Sequence, residues 1–245
     1  MPNRLFLILA LFVFVPVLTL CGQRSPEARD LLARGNNAES SDPQGAMEYY
    51  RSAVSTDPAW ADPRLALAML FQKLGNTDSA IAWYERVLAV APRHLEAAQS
   101  LAAAYHMESR YDDAISAYRT LLTYYADYPY AYYGMGLVYY SQQDYDRAIT
   151  NGETALRIFL AGDRADLASD ARMLAGQGYM QQGNYERAIQ YFKASRKHYE
   201  GKPFYHYYLG YSYLMMGNKE KGVEALLLSE QMGYKIPAYI KNRMQ

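Results

Sequence analysis

Small and apolar residues recur along most of the chain at two nested intervals. The shorter is helical. In "LAGQGYMQQGNYERAIQYF" (174–192), apolar residues fall three and four apart, stop at Gly183-Asn184 and resume on a segment that opens with charge. That pattern predicts a helix, a tight turn and a second helix. The stretch "YLGYSYLMMGNKEKGVEAL" (208–226) repeats the plan 34 residues later. The alanine near the start of each second helix shows the longer interval. Ala46, Ala80, Ala114 and Ala148 stand 34 apart, Ala188 follows after 40, and Gly222 after 34 again.

Other columns move in step with these. Twelve residues before each come Arg34, Ala68, Ala102, Gly136, Gly176 and Gly210, and three further on Asn37, Phe71, Tyr105, Tyr139, Tyr179 and Tyr213. Four residues after the alanine the chain places Tyr50, Tyr84, Tyr118, Gly152, Phe192 and Leu226. In this spacing and residue choice the chain resembles the tetratricopeptide repeat family. The resemblance implies an all-α, right-handed superhelical solenoid of about six helix-turn-helix repeats, at 27–60, 61–94, 95–128, 129–162, 169–202 and 203–236. Small residues let the paired helices approach, aromatics fill the gaps, and each repeat buries the apolar face of its neighbour. Pro58 and Pro92 fall where second helices should end, and Gly75-Asn76, Gly183-Asn184 and Gly217-Asn218 where turns should form.

Departures from the columns carry expectations of their own. Arg34 and Asn37 make the first helix a polar cap, and Gly152 should leave space or a looser helix. Residues 163–168 read as an extension of the first helix of repeat five, with Asp163 as its N-cap. The tail 237–245 is a short cap with Ile236, Tyr239 and Ile240 facing back. It promises little cover for Leu226, Leu227 and Leu228, so an oligomer could form through that end.

The N-terminus reads differently. Arg4 precedes an uncharged apolar run from Leu5 to Leu20, which has the form of a signal peptide, residues 1–20. Leu18-Thr19-Leu20-Cys21 resembles the bacterial lipobox, although Leu20 stands where most lipoboxes carry Gly, Ala or Ser. That resemblance implies lipidation at Cys21, a membrane anchor and an envelope location on the periplasmic side. An uncleaved anchor helix and ordinary secretion are the alternatives. Cys21 is the only cysteine, which excludes internal disulfides and thiolate zinc sites.

Charge and chemistry narrow the function. Lys plus Arg and Asp plus Glu both total 25, with no basic run, so nothing attracts nucleic acid. The four histidines form no metal pattern, no G-x-S-x-G elbow occurs, and Gly134-Met135-Gly136 and Gly176-Gln177-Gly178 lie inside helices rather than phosphate loops. The expectation is a non-enzymatic chain without cofactor or metal. Asp112, Asp113, Asp144 and Asp146 open second helices, where carboxylates favour the dipole.

Binding is the better prospect. The family resemblance implies that places two, five, nine and twelve of each first helix line a concave wall. Repeats two and three offer Asp62, Leu65, Met69 and Gln72, then Glu96, Gln99, Ala103 and His106. The later repeats offer Tyr130, Tyr133, Leu137, Tyr140, Met173, Gln177, Met180, Phe204, Tyr207 and Tyr211 as partner-binding residues, with Asp170 and Leu214 at the remaining places. The tyrosines of "TYYADYPYAYYGMGLVYY" (123–140) exceed what the repeat needs, and Tyr and Met suit adaptable recognition. The basic set that would clamp an acidic C-terminus is missing. Chain length, lipobox and repeat count resemble the tetratricopeptide lipoproteins of outer-membrane β-barrel assembly and pilus secretin assembly. A scaffold holding another protein or peptide is therefore expected. The alternative is a ligand-handling partner of an envelope transporter, with an aromatic cleft for a small apolar molecule or a glycan.

Overall fold

The computed structural model describes residues 24–162, 164 and 167–245. The leader, Cys21 and Asp163 lie outside them. Helix α1 (Pro26–Ala38) packs on α2 (Pro43–Thr56), α3 (Asp62–Lys73) on α4 (Thr77–Val90), and α5 (Leu95–Met107) on α6 (Tyr111–Tyr124). Then α7 (Pro129–Ser141) pairs with α8 (Tyr145–Ala161), and α9 (Ala168–Gln181) with α10 (Tyr185–Ala194). A single turn, α11 (Arg196–Tyr199), leads to the pair α12 (Pro203–Met215) and α13 (Lys219–Gln231), and α14 (Ala238–Met244) closes the end. Each pair packs on the next, and no strand occurs among the described residues. The fold is an all-α solenoid.

Local chemistry sets the turns. Gly75, Gly183 and Gly217 have φ of 74°, 77° and 85°. The following amide closes each helix by donating to a carbonyl five residues back, as Asn76 N does to Phe71 O at 2.9 Å. Asn76, Asn184 and Asn218 then cap the next helix, accepting from the amides of Ser79, Arg187 and Lys221. Two turns place another residue in the glycine position: Ser109 and Gln143 take φ of 57° and 62°. A left-handed L-residue costs about 1–2 kcal/mol, partly offset by the entropy a glycine would lose. Gln143→Gly should therefore raise stability by about 0.5–1 kcal/mol, read as a higher urea midpoint at unchanged slope.

The core follows the columns. Tyr50, Tyr84 and Phe192 are fully buried, and the Tyr50 and Phe192 rings are each set against a glycine of the partner helix. In the first pair that residue is Gly35, one place later than the column predicts. A Cβ there would lie 2.4 Å from the Tyr50 ring, while Arg34 turns outward to Asp30 at 2.8 Å. Gly152 leaves no gap: an added Cβ would touch Ala171 O, Ala175 N and the Leu174 side chain at 3.5–3.6 Å. Leu174 of α9 fills the place of the missing ring.

Part of the added length before α9 is taken up by a longer α8 rather than by an extended α9. Helix α8 runs 17 residues against 14 in α4 and α6, and α9 begins only at Ala168. No proline stops α8 as Pro58 and Pro92 stop α2 and α4, and Phe159 gives its last turn a buried anchor. At the C-terminal end, Ile236 and Ile240 cover Leu226 completely, whereas Leu227 and Leu228 stay exposed. Tyr239 is 59% exposed, yet its hydroxyl turns back to that of Tyr207.

Candidate functional site

The wall is built on the first helices of the last three pairs, α7, α9 and α12. Proline at the first position fixes the start of α7 and α12, so their aromatic residues enter at a set angle. Two groups of rings result.

The first surrounds α7. The Tyr130 ring meets Phe159 of α8 edge-on at 5.2 Å and tilts against Tyr128 at 5.4 Å. Tyr128 in turn donates its hydroxyl hydrogen bond to the Gln99 side chain. Tyr133 is half-buried near Phe159, Ala168 and Ala171. Burial, then the negative charge of Asp170, pushes its hydroxyl pKa up to about 12, so it is a neutral donor at physiological pH. Leu137 is half-buried. Tyr140 lies edge-on to Tyr145 at 5.5 Å, and its hydroxyl accepts from Gln181 at 3.2 Å.

The second group surrounds α12. Phe204 meets Tyr199 edge-on at 5.6 Å. Tyr207 stacks on Tyr234 at 4.7 Å and on Tyr211 at 6.2 Å. Tyr211 touches Tyr185 edge-on at 6.2 Å, and Tyr208 stacks on buried Phe192 at 5.7 Å. Burial raises the Tyr207 pKa, helped by the neighbouring Tyr239, Tyr234 and Tyr211 hydroxyls.

Helix α9 supplies less than its sequence pattern promises. Met173 and Met180 are only 5% and 7% exposed, so they support the wall from beneath and offer nothing to a partner. Met173 is held by Ser195, whose hydroxyl donates to its sulfur at 3.1 Å. Gln177 stays half-buried beside the Tyr208 hydroxyl. Asp170 accepts a hydrogen bond from the Tyr199 hydroxyl and stands between the two ring groups. Tyr234, Tyr199 and Tyr128 complete the wall and were not in the inward columns. Tyr234 follows the turn at Gly233 and Tyr199 lies in the break after α10, where the repeat pattern gives no orientation.

The wall is a surface of half-buried aromatic rings. Two clefts lie away from Tyr133 and Tyr207, the second bordering the wall at Tyr128. One of about 340 Å³ is lined by Leu88, Leu101, Tyr105, Ala117, Leu121 and Tyr124, between α4, α5 and α6. The other, about 680 Å³, opens at the start of α5 between Arg93, Glu96, Gln99 and Tyr128. Among the described residues no group of three or more His, Cys, Asp or Glu could hold a metal, and no helix is long and apolar enough to cross a membrane.

Three family models described as tetratricopeptide repeat match the chain, over residues 37–105, 127–201 and 173–232, together well over half its length. No curated protein sequence matches it. Among solved structures, Pseudomonas aeruginosa pilF is 18% identical with a TM-score of 0.70, covering 89% of this chain and 97% of that one. A MamA protein is 25% identical with a TM-score of 0.62, covering 73% and 95%. YrrB, a TPR protein with an unusual peptide-binding site, is 20% identical with a TM-score of 0.61, covering 76% and 93%.

Proposed function

From the premise that the chain belongs to the tetratricopeptide repeat family, whose solenoid is a protein–protein interaction scaffold, we propose that it is a non-enzymatic envelope lipoprotein whose concave tyrosine wall grips a segment of another protein. The observation that carries this reading is the pair of ring groups on α7 and α12, held in place by buried neighbours while the rings themselves stay partly exposed. Preorganised aromatic side chains lose little entropy on binding and dominate interface energetics. An open surface suits an extended segment, whereas a small molecule needs an enclosing pocket, and the two clefts above lie away from Tyr133 and Tyr207. The likeness to YrrB, which has a peptide-binding site, supports the same choice.

The envelope role rests on the leader and on Cys21, with assembly of an outer-membrane or pilus-type complex as the setting; the pilF likeness is in keeping with it. Acyl chains at Cys21 would each contribute about 0.8 kcal/mol per buried CH₂. Cys21→Ser should therefore move nearly all of the protein from the membrane fraction to the soluble fraction; retention in the membrane would favour an uncleaved anchor. The binding reading is tested by photocrosslinkers at positions 133 and 207 in intact cells, with mass spectrometry of the adducts. One dominant protein joined from both positions is expected. Adducts no more specific than those from an outward position such as 120 would refute it.

A further inference from the structure

We infer that the segment held by the wall carries a lysine or arginine, and that this cation sits against Asp170 between the two ring groups. The inference rests on the peptide-binding reading above and goes beyond it by fixing the chemistry of the occupant. Across the four inward positions on each of α3, α5, α7, α9 and α12, the charged residues are Asp62, Glu96 and Asp170, and no lysine or arginine occupies any of them. These inward positions are thus one-signed, although the chain as a whole is neutral and the nearest cations, Arg93 and Arg243, lie at the two ends of the face, beside Glu96 and Tyr211. A one-signed face favours an oppositely charged partner and repels the acidic tails that other scaffolds of this kind hold.

Asp170 is the best placed of the three. Asp62 is exposed, and Glu96 shares its cleft with Arg93, which offsets its charge. Asp170 belongs to no ion pair among the described residues. One carboxylate oxygen accepts from Tyr199, and no hydrogen bond among the described residues uses the other. The surroundings are rings: Tyr199 beside it, Phe204 edge-on to Tyr199 at 5.6 Å, and Tyr133 close enough for its ionisation to feel the carboxylate. A half-buried carboxylate flanked by aromatic rings attracts a cation twice, through its own charge and through the ring faces. An apolar residue there would bury the carboxylate without compensation, and an acidic residue would meet like charge. On either side, Tyr130 and Tyr207 offer contact for apolar residues of an extended segment. The hydroxyl of Tyr133, which no protein group engages among the described hydrogen bonds, can donate to a peptide carbonyl.

Displayed random nonapeptides selected on the full chain test this. The wild-type pool should show Lys or Arg enriched about tenfold at one position flanked by apolar residues. Selection on Asp170→Asn, which keeps an acceptor for Tyr199, should retain the apolar flanks and lose the basic residue. Asp170→Lys should select Asp or Glu at that position instead. A wild-type pool with apolar flanks and no basic preference would overturn the inference while leaving the binding reading in place. A pool no richer than one selected on the Tyr133→Ala, Tyr207→Ala double variant would overturn the binding reading itself.

Discussion

Replacing Tyr133 and Tyr207 together by alanine should weaken partner binding by about 100-fold or more, because central aromatic anchors typically contribute ~2 kcal/mol or more each. The two rings belong to different groups, one on α7 and one on α12, so a segment spanning the wall would lose both anchors. Stability will fall as well. Tyr133 packs near Phe159 and Ala171, and Tyr207 packs against Tyr234 beside the cluster of Leu226 and Ile240. Tyr132→Ala separates the two effects. Tyr132 packs in the same cluster as Tyr133, but its hydroxyl donates to Ala126 O at 3.1 Å and it holds no inward position. That variant should lower the melting temperature and leave affinity nearly unchanged. Equal loss of affinity in both variants, measured by titration calorimetry, would show that the double substitution acts through unfolding alone.

The second large effect concerns the close pairing of α12 and α13. A Cβ added to Gly210 would lie 2.9 Å from Gly222 O, Leu226 N and Leu226 Cγ. Two of those atoms are backbone and cannot swing aside, so the helices must separate. Gly210→Val should cost about 3 kcal/mol, at the upper end of overpacking effects. In a stacked array the loss stays near the altered unit. Hydrogen exchange should therefore show α12, α13 and α14 losing protection while α3 to α6 keep theirs. Gly201→Val is the control, since an added Cβ there meets nothing within 4 Å, and its effect should stay within ~0.5 kcal/mol. Uniform loss of protection along the chain would mean that the solenoid unfolds as one unit.

Much of this was legible in the sequence because the repeat expresses packing directly. Ala68, Ala80, Ala102 and Ala114 are fully buried, and Asn76, Asn184 and Asn218 cap helices where the turns require them. The misreadings fall where helices depart from the period. Gly35 replaces Arg34 because helix α1 sits one residue out of step with α2, which a fixed column cannot show. Gly152 looked like a void because a column compares equivalent places within repeats, while its contact comes from α9 of the next pair. Met173 and Met180 occupy inward places by count. Yet both are packed in the core cluster with Ile149, Tyr179 and Tyr205, and the break at Ser195 sets a hydroxyl on the Met173 sulfur, so neighbouring side chains cover them. Tyr199 and Tyr234 escaped notice because they stand in connections, where no periodicity assigns a direction.

Footprinting by hydroxyl radicals on the complex isolated after crosslinking tests the central claim most directly. Tyr130, Tyr133, Tyr207 and Tyr211 should be protected relative to the free chain, while Tyr124 and Leu228, exposed away from the wall, should be modified equally in both. Protection of Tyr124 or Leu228 with unchanged modification of the four tyrosines would place the partner elsewhere and contradict the account.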